Sequence, residues 1–251
     1  MLARLADLDD PRMEVERDRL LALAAAVTGR FDEARCRLGA LLPRSPGVGG
    51  PSAAMQIHFV RAWLARAAGD MEAAAEDLVR ARELATTGAA RGIRALVGAE
   101  LAHLARHHSD PAAPTLLIDA IDELERAGNL RSAAVQRRDL GCWRLEDGDR
   151  TSGLLELRTA LPALLRTDQR AAAVGLAEIA AAVSTTRPQD AARLAREAQR
   201  LFAEGRGPAA PLSGARVAEV VRAMACEPDP RPDPLSEAEI VAIVCGATDG
   251  P

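Results

Sequence analysis

The chain has no lysine and no tyrosine, and Asn129 is its only asparagine. Aromatic residues make up 2% of the 251 residues, so any core must be built from Ala, Leu, Val and Ile. That excludes a β-sandwich or barrel, whose strands want β-branched and aromatic side chains. Arginine supplies all the fixed positive charge, as a GC-rich coding sequence would give, so its abundance carries little functional weight. No C-x-x-C pair occurs among Cys36, Cys142, Cys226 and Cys245. They read as reduced thiols of a cytoplasmic protein, neither a disulfide frame nor a zinc site. The opening Met1-Leu-Ala-Arg-Leu-Ala-Asp-Leu-Asp-Asp10 carries acids where a signal peptide needs a basic and then apolar run. Every Ala/Val/Leu stretch is broken by charge before it reaches membrane-spanning length, so no membrane partner is expected. The net charge of −4 makes the whole chain a poor electrostatic match for nucleic acid.

What is present is a period. Turn signals stand at Thr28-Gly29-Arg30, Ala68-Gly69-Asp70, His108-Ser109-Asp110 and Asp147-Gly148-Asp149, with a looser one at Ser184 to Pro188. Gly29, Gly69, Ser109 and Gly148 are spaced 40, 40 and 39 residues apart, and apolar residues between them follow helical spacing. Glycine ends one helix in a left-handed cap, and the following Asp accepts the first free amides of the next. Asp10 before Pro11 reads as a further cap. Periods of this length mark helical arrays whose hairpins bury apolar faces against their neighbours.

Around these turns the residues resemble the tetratricopeptide pattern of large, small, Gly-Asp turn, small, apolar, small. Leu21-Ala22, Gly29, Ala34 and Leu38 fit it, as do Gly69-Asp70, Ala74, Leu78 and Ala81. The series continues with Leu101-Ala102, Ile118 and Ile121, then Leu140-Gly141, Gly148-Asp149, Gly153, Leu157 and Ala160. Small residues are needed where paired helices touch. Departures occur at Arg61, which stands at a large apolar position; at Pro114, which should delay a helix; and at Pro162, which should kink or end one. The resemblance runs over residues 11 to 204, and the long repeat is similar to the helical sensor arms of large bacterial LuxR-type regulators, including the maltose-activator kind. It implies an all-α, right-handed superhelix of about five antiparallel helical hairpins, closed by a capping helix over Ser213 to Cys226 with Val217, Val220, Val221 and Met224 apolar. The expected organisation is a solenoid with its cap over 1–226, a proline-rich linker over 227–234, and a short helical tail over 235–251 whose removal should matter little. Leu235-Ser236 followed by acids is similar to the first helix of a LuxR-type DNA-binding domain, yet no recognition helix follows, so no direct DNA binding is expected.

Searches for chemistry give little. Glu100-x-x-His103 has the spacing of a di-iron ligand pair, but no second such pair exists; with His107 and His108 it reads as a polar helix end. His58 stands alone. Ser45-Pro-Gly-Val-Gly-Gly-Pro-Ser52 lacks the Lys-Ser/Thr ending of a phosphate loop and reads as the loop between two hairpins. There is no Gly-x-Ser-x-Gly. No catalytic residue, metal site or cofactor is expected.

In tetratricopeptide arrays the first helices of the hairpins line a concave groove. Carried over by register, the groove positions here are Gln56, Phe59, Trp63, Arg66, His103, Arg106, Arg138 and Leu145. Trp63 is either an anchor for a partner or a residue buried between hairpins, and Trp143 reads as core. Arg66, Arg106 and Arg138 either grip carboxylates of an extended acidic partner or pair with acids one turn on, such as Asp70 after Arg66 and Asp110 after Arg106. The expected role is a non-catalytic, protein- or peptide-binding module in regulation or assembly. The alternative is an effector-sensing arm of a transcription regulator that lacks a complete DNA-binding domain.

Overall fold

The computed structural model describes residues 11–28, 30–85, 91–205, 211–223 and 234–248. Asp7 to Asp10, Gly29, Met224, Cys226 and linker residues 227–233, all used above, lie outside that set. The described residues contain α-helices joined by turns and no strand. The chain divides into two compact units, Met1–Gly128 and Asn129–Pro251.

The first unit holds α1 (Pro11–Val27), α2 (Phe31–Leu41), α3 (Ser45–Ala67), α4 (Met71–Ala85), α5 (Arg91–His107) and α6 (Ala113–Arg126). Helices pair in order, α1 with α2, α3 with α4 and α5 with α6; α3 also touches both α1 and α5. Two apolar clusters form around α3. One joins Val15, Ala22, Ala34, Leu38, Ile57 and Leu64 across α1, α2 and α3. The other joins Met55, Ala62, Leu78, Ala81 and Val97 across α3, α4 and α5.

Turn chemistry explains the pairing. Gly69, Gly128 and Gly148 take positive φ, the backbone that ends a helix without a Cβ penalty. The residues that follow cap the next helix: Asp70 Oδ1 accepts Ala73 N at 3.1 Å, and Asp149 Oδ1 accepts Ser152 N at 3.1 Å. Ser109 does the glycine's work with a φ of 57°, and Asp110 N donates to Ala105 O as Asp70 N donates to Ala65 O, both at 2.9 Å.

Three expectations need correction here. Ser45 to Ser52 is helical, the first turns of α3, because Pro46 falls in the first turn where its missing amide costs nothing. Pro114 does delay α6, which starts at Ala113, but the delay rotates its buried face to Leu117, Ala120, Ile121 and Leu124, leaving Ile118 36% exposed. His58 does not stand alone: it and Arg61, at the pattern's large apolar position, reach across to Asp77 on α4.

The second unit holds α7 (Leu130–Glu146), α8 (Arg150–Thr167), α9 (Gln169–Val183), α10 (Pro188–Glu204), α11 (Pro211–Ala223) and α12 (Glu237–Thr248). Here α7 packs on α8 and α9 on α10, while α9 also touches α7 and α8. Pro162 neither ends nor splits α8, which continues five residues past it. A single cluster runs from Ala134 on α7 through Leu157, Leu161, Leu176 and Leu194 to Val217, Val220, Ile240 and Val244. α11 packs on α9 and α10, with Val217 and Val220 buried. The segment expected as a short helical tail forms α12, docked on α8.

Candidate functional site

The face carrying most of the groove positions lies in the first unit. On α3, Gln56, Phe59, Trp63 and Arg66 recur at helical spacing and share one side. On α5, Glu100, His103 and Arg106 do the same. A charged pair joins the two helices: Arg66 Nε donates to Glu100 Oε2 at 2.6 Å and Nη2 to Oε1 at 3.1 Å. Glu100 is 3% exposed, so this bidentate pair is a buried tie between successive first helices. Arg66 is thereby occupied, and Asp70 instead faces Arg35 at 3.6 Å.

The aromatic residues are only half presented. Phe59 packs on the cluster around Leu78 and Val97, while Trp63 packs on the cluster around Leu38 and Leu64. Gln56, His103 and Arg106 are half-buried.

Arg138 and Leu145 belong to the second unit. Arg138 binds the adjacent Asp139 and its side chain is 13% exposed. Burial opposes its charge, but Asp139 and more distant groups outweigh this and raise the guanidinium above its ordinary value. Leu145 lies over Gly153, and its packing is with the unit's core. Trp143 is buried, as expected of core.

Comparison with protein-family models and with curated proteins finds no match. What the arrangement can do therefore rests on its own geometry.

Sequence reasoning missed two features. The first is Asp77, 7% exposed, whose Oδ1 lies 2.7 Å from His58 Nδ1 and whose Oδ2 lies 3.3 Å from Arg61 Nε. Its signal was the pair His58 and Arg61, three apart on one face of α3. The second is an open groove of about 290 Å³ between α5 and α6, floored by Ala95, Gly98, Leu101 and Ala120 and edged by Arg94, Leu116, Asp119 and Glu123. It can take one bulky apolar side chain; small-molecule sites usually begin near ~300 Å³ and enclose their ligand.

Among the described residues no group of three or more His, Cys, Asp or Glu is placed to hold a metal ion. Glu100 of the Glu100–His103 pair is held by Arg66. Burial pushes the Cys142 thiol far up, the opposite of an activated nucleophile. No described helix is long and apolar enough to cross a membrane.

Proposed function

We propose that this chain is a non-catalytic helical-repeat module of the tetratricopeptide kind, about five hairpins in a superhelical array, that binds another protein or an extended peptide in a cytoplasmic regulatory or assembly role. The observation that carries the reading is the α3–α5 tie. It holds two first helices side by side, and the reading puts Gln56 on one and His103 and Arg106 on the other along a common face. A face of this kind suits an extended chain that lies over Phe59 and Trp63 as a partly buried floor and exchanges its acidic groups into interactions that His103 and Arg106 already make.

The test separates binding from folding. Gln56→Ala, His103→Ala and Arg106→Ala together are expected to abolish capture of native partners and leave the melting temperature within a few degrees of the parent. Capture of the same partners by the folded triple variant would overturn the reading. Arg66 is left intact in this test because its loss would strand a buried carboxylate.

The alternative, an effector-sensing arm, draws on the Leu235–Ser236 resemblance. The open, small α5–α6 groove favours a gripped side chain over an enclosed effector.

A further inference from the structure

α12 shows what its docking surface accepts. Ile240, Ile243 and Val244 recur at i, i+3 and i+4 and are 2%, 8% and 1% exposed. Charges of one pattern surround them. Arg166 on α8 binds Glu237 at 2.9 Å, and Arg193 on α10 stands 3.8 Å from Glu239. Arg187, just before α10, donates from Nη1 to the Ile243 carbonyl at 3.0 Å, midway along α12. Acids at the start of α12 meet arginines, as the helix dipole favours, and a third arginine reaches a backbone carbonyl midway along it.

The hold looks reversible by construction. α11 packs on two helices, whereas α12 packs chiefly on α8. The rim ion pairs are exposed, with side chains between 41% and 63% accessible, a setting in which such pairs add little. α12 also carries its own start signal. Ser236 N donates to Glu239 Oε2 at 2.9 Å, and Glu239 N donates to Ser236 Oγ at 3.2 Å. In sequence it follows Glu227-Pro-Asp-Pro-Arg-Pro-Asp-Pro234, proline at every second position, which reads as a stiff tether.

We propose that the surface of α8 and α10 under α12 is a binding site for a partner's amphipathic helix bearing two carboxylates in its first turn and aliphatic residues at i, i+3 and i+4, and that α12 is the built-in occupant such a helix displaces. This site lies in the second unit and is independent of the α3–α5 face.

A fluorescently labelled peptide of residues 234–248 is the probe, titrated into the full chain and followed by anisotropy. In the parent, the covalently attached α12 competes with the peptide for the same surface. Ile240→Asp in the chain frees the surface, and the peptide is expected to bind at least about tenfold tighter than to the parent. A peptide carrying Glu237→Arg and Glu239→Arg should bind the same variant about tenfold more weakly. Hydrogen exchange on the unaltered chain guards against a variant that misfolds: α12 amides should exchange as a unit at least about tenfold faster than those of α9. Equal peptide affinity for parent and variant, undiminished binding of the charge-reversed peptide, or α12 exchanging no faster than α9 would each overturn the proposal. Sedimentation showing that copies of the chain exchange α12 and dimerise would assign the surface to a second copy instead, and would overturn it too.

Discussion

Gly141 and Gly153 face each other where α7 crosses α8, each too close to the other's backbone for a side chain. A Cβ on Gly141 would meet Gly153 O at 3.0 Å and Leu157 Cγ at 2.8 Å. A Cβ on Gly153 would meet Gly141 O at 3.0 Å and Leu145 Cγ at 2.8 Å. The contact is reciprocal, and backbone cannot yield as a side-chain tip can. Gly141→Ala and Gly153→Ala are each expected to destabilise the chain by about 1–3 kcal/mol despite alanine's better helix propensity. Gly175 on α9 is the control. Its nearest neighbour would lie 3.7 Å from a new Cβ, so Gly175→Ala should stabilise by up to about 1 kcal/mol. Urea unfolding of the three variants reads the difference directly; equal effects at all three positions would mean the crossing is looser than this.

Arg66 is expected to act on stability before it acts on any partner. Arg66→Ala leaves Glu100, 3% exposed, as a buried carboxylate without its bidentate donor. The cost should be about 3 kcal/mol, and replacing Glu100 by Leu in the same chain should recover most of it. A double-mutant cycle in thermal unfolding checks this. An Arg66→Ala chain as stable as the parent would mean that the tie contributes nothing.

Ser109 holds a left-handed φ of 57° that glycine adopts freely. It is exposed and ends α5 as Gly69 ends α3. Ser109→Gly is therefore expected to stabilise the first unit by about 1 kcal/mol, measured by the urea midpoint at unchanged slope.

Ending the chain at Pro234 should lower the melting temperature by several degrees, because Ile240, Ile243 and Val244 are buried. Each such side chain is worth roughly 1.5–3 kcal/mol before ordering costs are subtracted. An unchanged melting curve would restore the view of this segment as a dispensable tail. Acid should loosen α12 in the intact chain. Hydrogen bonds from the Ser236 backbone and hydroxyl hold the Glu239 carboxyl below its ordinary 4.5. A depressed carboxyl contributes its full stabilisation above that ordinary value and loses it as pH falls through the lowered one. Exchange of α12 amides, corrected for intrinsic rate, should therefore rise relative to α9 between neutral pH and pH ~3.

The sequence alone determined part of the local structure: the turns at Gly69, Ser109 and Gly148, the caps at Asp70 and Asp149, and the small residues that let α3 meet α4 and α7 meet α8. These are short-range matters. A glycine's φ, an Asp side chain's reach to an amide three residues on, and apolar spacing within one helix are all written in consecutive residues. Only the tertiary structure decided the fate of the charges. Arg66 and Glu100 are 34 residues apart, Arg131 and Asp168 are 37, and Arg216 and Glu178 are 38, each pair joined across helices. In the sequence these arginines cannot be told from groove residues awaiting a partner, because an ion pair depends on distance through space and on the desolvation around it. Tertiary packing also turned Ile118 outward, continued α8 through Pro162, and drew α12 onto the core, since a helix face becomes a buried face only when another surface removes it from water.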